Sequence, residues 1–89
     1  VAEPRRYRIE FELSAAKAIA KLDRIPRERV LTAIEALALD PRPVGAIKLT
    51  DGSGMRIRVG DYRVVYVIDD AVVTVTVVRI GHRRSIYRR

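Results

Sequence analysis

The chain has no cysteine, no tryptophan and only one histidine and one phenylalanine in 89 residues. Without thiols it can form no disulfide, carry out no thiol chemistry and build no zinc site on thiolates. A reducing compartment fits that composition, and a cytoplasmic protein is expected. Long hydrophobic runs are missing as well. The longest apolar stretches, 64–68 and 71–78, fall far short of the roughly 20 residues that a membrane helix needs, and the opening residues carry no signal-peptide pattern. A soluble protein with no membrane partner follows as the expectation. Acid is scarce in one half, with no Asp or Glu after Asp70. The acidic cluster of a two-metal nuclease is therefore lacking, and neither a metal nor any other cofactor is expected.

What remains is apolar and basic. A hydrophobic content of 48% over this length suffices for one modest core, so residues 1–89 are read as a single domain. The net charge of +7 is unevenly spread. Residues 1–53 hold ten Lys/Arg against eight Asp/Glu, whereas residues 54–89 hold eight Arg against three Asp. Such an asymmetry points to a polyanionic partner. That the cations of the second half are all arginine favours bidentate phosphate contacts, because the guanidinium fork matches phosphate oxygens.

Hydrophobic periodicity gives the element order β-α-α-β-β-β, an α+β fold with a helical hairpin packed on a mainly antiparallel sheet. Tyr7, Ile9, Phe11 and Leu13 alternate with Arg8, Glu10 and Glu12, which predicts a strand over about 6–13. Ser14 stands where an N-cap belongs, ahead of Ala15, Ala18, Ile19 and Leu22 at helical spacing. Pro26 suits the first turn of a second helix whose apolar stripe is Val30, Ala33, Ile34 and Leu37, and Asp40, Pro41 and Pro43 end it. A glycine-containing loop leads to Met55, Ile57 and Val59, alternating with Arg56 and Arg58. The Val-, Tyr- and Thr-rich segments 62–68 and 71–80 complete a three-stranded meander.

Gly60-Asp61 reads as a two-residue hairpin loop. It would set Val59 opposite Tyr62 and Arg58 opposite Arg63, with Arg56 on the same face two residues away. Like charges directly opposed across a ladder are destabilising by roughly a few tenths to 1 kcal/mol, so the arrangement favours a bound anion. The segment Gly81-His82-Arg83-Arg84-Ser85-Ile86-Tyr87-Arg88 adds the single histidine, further cations and a tyrosine just past the last strand. Together these supply what metal-free RNA cleavage requires: cations for the phosphate, a proton acceptor and a proton donor.

Three segments carry a resemblance to a known family: Lys48-Leu49, MRIRVGDYRVVYVIDD from Met55 to Asp70, and RIGHRRSIYR from Arg79 to Arg88. A basic strand, a GDYR turn and an HRxxIY tail in that order resemble the RelE/ParE toxin superfamily, and the likeness runs nearly the whole chain. Resemblance to RelE implies the toxin of a type II toxin–antitoxin pair, a ribosome-dependent endoribonuclease that cuts mRNA by internal attack of the 2′-hydroxyl. It implies a cognate antitoxin, the ribosome and mRNA as partners, with a toxin–antitoxin heterotetramer as one assembly. ParE-like members inhibit DNA gyrase instead, and a noncatalytic RNA-binding module is a further alternative.

Carried over position by position, the resemblance implies catalytic roles for Arg56, Arg58, Arg63, Arg83 and Tyr87, with Tyr87 stacking on or orienting the substrate base. Lys48, Arg84 and Arg88 join Arg56, Arg58 and Arg63 as RNA-binding candidates. Arg56 and Arg58 stand where RelE often has lysines. A guanidinium is a poor general base, so the proton acceptor stays open between His82, Tyr87 and purely electrostatic stabilisation of the transition state.

Overall fold

A computed structural model of the chain describes residues 6–82; Arg83, Arg84, Tyr87 and Arg88 lie outside the described residues. Strand β1 (Arg8–Phe11) precedes helices α1 (Leu13–Ala20) and α2 (Arg24–Ala36), followed by strands β2 (Ile47–Lys48), β3 (Met55–Val59), β4 (Tyr62–Asp69) and β5 (Thr74–His82). The five strands form one sheet in the order β1-β5-β4-β3-β2. All neighbours are antiparallel except β1, which lies parallel to β5 with Ile9 beside Val75.

The predicted stripes become the core. Ala15 and Ile19 of α1, Val30 and Ile34 of α2 and Leu37 just beyond pack on Ile57, Val64, Tyr66, Val75, Val77 and Ile80 of the central strands. These strand residues share one face, so the helix pair covers that face and leaves the other, with Arg56, Arg58 and Arg63, uncovered by helices. Tyr66 is fully buried, and its hydroxyl donates to the Pro41 carbonyl at 2.8 Å. At the molecule's rim Asp70 accepts from the Tyr7 hydroxyl at 2.6 Å and from Arg42 at 2.9 Å, joining the start of β1, the β4–β5 turn and the loop after α2.

Local differences from the sequence reading have physical causes. The first helix starts at Leu13, so Ser14 lies inside its first turn and Glu12 occupies the cap position without a side-chain cap bond. Glu12 serves both elements through its backbone: its N–H pairs with the Val77 carbonyl at 2.9 Å, and its carbonyl accepts from Ala16 at 3.0 Å. Strand β2, two residues long, falls in the stretch read as loop. It is defined only by pairing with Met55 and Arg56, which no local periodicity can reveal. Gly54, at φ +142°, sets the entry to β3, because a Cβ there would collide with the Tyr66 carbonyl oxygen.

The β3–β4 loop is the expected two-residue hairpin. Gly60 takes φ +61° while Asp61 does not have a positive φ, the pattern of a type II′ turn. The β4–β5 turn is longer than expected, and β5 begins at Thr74 instead of near 71. Asp69 accepts from the backbone N–H groups of Ala71 at 3.0 Å and Val72 at 3.3 Å, holding 70–73 out of the ladder. Farther along, Val65 pairs with Arg79 but Tyr66 pairs with Val77, which leaves Val78 as the extra residue of a β-bulge.

Candidate nucleic-acid interface

Two rows of side chains cross the helix-free face of the sheet. Arg58 of β3 stands directly opposite Arg63 of β4, which pairs with Gly81 of β5. In the adjacent row Arg56 stands opposite Val65, which pairs with Arg79. The rows lie about 6.8 Å apart along the strands, with about 4.8 Å between neighbouring strands. The structure thus brings together Arg56, Arg58 and Arg63 as the sequence predicts, and adds Arg79.

The arginines differ in setting. Arg63 retains only 5% of its surface exposure, Arg56 is half-buried, and Arg58 and Arg79 are exposed. A cation packed as deeply as Arg63 has few rotamers left to lose when an anion arrives, whereas the exposed pair must be ordered by the ligand. Arg58 and Arg79 join none of the described ion pairs, which are Arg8–Glu10, Arg24–Glu28, Arg42–Asp70 and His82–Asp61. The loop between β2 and β3 brings one acid near this face. Hydrogen bonds from the Ser53 side chain and backbone hold the Asp51 carboxyl below the usual carboxylate range, and the positive field of Arg79 adds a smaller pull in the same direction.

Two predicted site residues fall elsewhere. Lys48 pairs with Met55, on the face opposite to that of Arg56 and Arg58. His82 belongs to β5 and does not follow it. It pairs with Tyr62, so its ring shares the helix-bearing face, packed edge-on against Tyr62 at a centroid distance of 5.6 Å. Its Nε2 lies 4.0 Å from Asp61 Oδ2. The bulge explains the placement. From Val75 and Val77 in the core, unbroken alternation would send Ile80 and His82 to the arginine face and Arg79 into the core. The extra residue Val78 reverses the parity, so Ile80 enters the core and Arg79 joins the other arginines. A bulge leaves no mark on a run of β-branched residues such as 72–78, so Arg79 was not legible as a site residue.

Comparison with known proteins identifies the family. Residues 9–87 match the family model described as the ParE toxin of the type II toxin–antitoxin system parDE. The chain belongs to the RelE/ParE toxin superfamily. Toxin RelG of Mycobacterium tuberculosis is 36% identical over 85 residues, covering 93% of this chain and 98% of that toxin. Among solved structures, the archaeal RelE–RelB complex from Pyrococcus horikoshii superposes with a TM-score of 0.78 at 26% identity, over 88% of this chain and 96% of that one. The isolated RelE toxin of E. coli gives 0.76 at 28% identity, over 85% and 83% of the two chains. The superfamily's helical hairpin on a mainly antiparallel sheet is therefore the fold of this chain, and it is a toxin of the type II toxin–antitoxin class.

Proposed function

We propose that this toxin is a ribosome-dependent mRNA endoribonuclease neutralised by a cognate antitoxin. The observation that carries the reading is Arg58 directly opposite Arg63, with Arg56 on the same face. Like charges set opposite one another across a ladder favour a bound anion, and a phosphate is the anion that RNA supplies. In the proposed reaction the 2′-oxygen attacks the adjacent phosphorus and the bond to the 5′-oxygen breaks, leaving a 2′,3′-cyclic phosphate and a 5′-hydroxyl. Arg56, Arg58 and Arg63 stabilise the added negative charge on the phosphoryl oxygens, acting in the transition state. Arg83, the tail arginine of the resemblance, is assigned to stabilising charge on the phosphate or donating to the leaving oxygen, and Tyr87 to stacking on or orienting the substrate base. His82, on the other face, is poorly placed as the proton acceptor, which leaves Tyr87 and electrostatic stabilisation as the alternatives.

The antitoxin reading is supported by the relatives solved as RelE–RelB complexes and by a surplus of cations that an acidic partner would offset. A heterotetramer of two toxins and two antitoxins is one assembly open to direct mass measurement. The description of the matching family model favours a second reading, a ParE-like toxin that inhibits DNA gyrase. One experiment separates them. Purified toxin is incubated with mRNA, with and without programmed ribosomes and with a chelator that leaves the ribosomes intact, and separately with gyrase and relaxed plasmid. Chelator-resistant cuts inside codons only when ribosomes are present are expected. Inhibited supercoiling with intact mRNA would transfer the assignment to the gyrase reading.

A further inference from the structure

Arg79 has no role in the reaction described above, yet it shares a row with Arg56 on the face that carries the opposed pair Arg58 and Arg63. Arg56 and Arg79 flank Val65 on one face of three adjacent strands. Two strand spacings separate their backbones, about 9.6 Å. Val65 between them is 7% exposed, forming an apolar floor between two cations. Arg79 is exposed and outside the described ion pairs. It reaches this face only because the bulge at Val78 reverses the side-chain alternation of β5, and bulges commonly re-aim a side chain beside a functional site.

We propose that Arg79, across Val65 from Arg56, forms a second phosphate subsite that grips the RNA backbone at a phosphodiester neighbouring the one being cut. The proposal rests on the nuclease reading above and deepens it. In that reading Arg56, Arg58 and Arg63 gather about the reacting phosphate, and Arg79 lies one strand beyond Arg63 and one side-chain repeat along. A guanidinium at that remove touches a phosphate whose charge does not change during the reaction, so it contributes to binding and register and leaves the chemical step alone. The carboxylate of Asp51, within the field of Arg79, partly offsets its charge in the free protein.

The test uses Arg79→Ala, Arg79→Lys and Asp51→Asn, each confirmed as folded by circular dichroism. Single-turnover cleavage on programmed ribosomes gives the maximal rate and the half-saturating concentration. Binding is measured separately on ribosomes whose mRNA carries a 2′-deoxynucleotide at the cleavage position, which cannot react. Arg79→Ala should raise the half-saturating concentration about 5- to 10-fold, keep the maximal rate within about twofold, and make the dependence of log affinity on log salt shallower by about 0.7. Arg79→Lys should recover most of the affinity. Asp51→Asn, which keeps an acceptor for the Ser53 N–H, should tighten binding in the parent chain and have no effect in the Arg79→Ala background. Unchanged affinity and salt slope in Arg79→Ala, or a lower maximal rate at unchanged affinity, would overturn the proposal. A parent toxin that binds the deoxy-substituted complex but never cuts its ribonucleotide counterpart would remove the nuclease reading while the binding comparison still decides the role of Arg79. Absence of binding by the parent toxin overturns both.

Discussion

Arg58 and Arg63 show how a single side chain can serve function against stability. They are directly opposed across β3 and β4, and one is buried while the other is exposed. Replacing the exposed member with a good strand former removes the repulsion and leaves the buried member in place. Arg58→Thr should therefore stabilise the fold by about 0.2–1 kcal/mol, read as a higher urea midpoint at unchanged slope. The same substitution should lower the single-turnover cleavage rate on the order of 100-fold, the scale on which loss of one oxyanion donor acts. A destabilised Arg58→Thr variant would mean that Arg58 is held by favourable neighbours and that the opposed pair needs no anion.

At the scale of elements, Tyr66 ties β4 to the loop after α2 through its hydroxyl and the Pro41 carbonyl. Burial pushes this phenol up to about 12 from an ordinary value of 10.0. The folded protein therefore keeps a proton that the unfolded chain loses above pH 10. The resulting stabilisation is fully present below pH 10 and is lost as pH rises through 12, a fall on the order of 2 kcal/mol. Tyr66→Phe should cost about 1–2 kcal/mol at pH 8, since it leaves the carbonyl without its donor, and should flatten the decline between pH 9 and 11.5 in urea unfolding. Identical pH slopes in the two proteins would disprove the assignment. Tyr66 itself is legible in sequence only as one member of the Val- and Tyr-rich segment 62–68. Across the sheet, the two-residue hairpin at Gly60-Asp61 and the α2 stripe follow from local chemistry and are legible in the sequence. The parallel pairing of β1 with β5 and the two-residue β2 depend on partners distant in sequence. The bulge at Val78 has the largest consequence for the site, because one extra residue places Arg79 on the arginine face and His82 off it.

For the whole molecule the controlling quantity is the distribution of charge, because the fold gathers cations from the basic half of the sequence onto one face. Arg56, Arg58, Arg63 and Arg79 share the side of the sheet away from the helices, in a chain of net charge +7. A field of that kind acts at a distance on any anionic partner, so it governs how fast partners meet more than how long they stay together. The antitoxin expected for a toxin of this class should therefore associate faster at low salt. Because the Debye length shrinks from about 10 Å at 0.1 M to about 3 Å at 1 M, raising salt across that range should slow association by roughly tenfold or more. Dissociation should change far less. Stopped-flow mixing of purified toxin and antitoxin measures both rates. Charge reversal at Arg58 and Arg79 together should reproduce the slow, salt-insensitive association of the parent at high salt. An association rate that is independent of salt in the parent would show that the antitoxin approaches a different surface, and that the arginine face is kept for the nucleic acid alone.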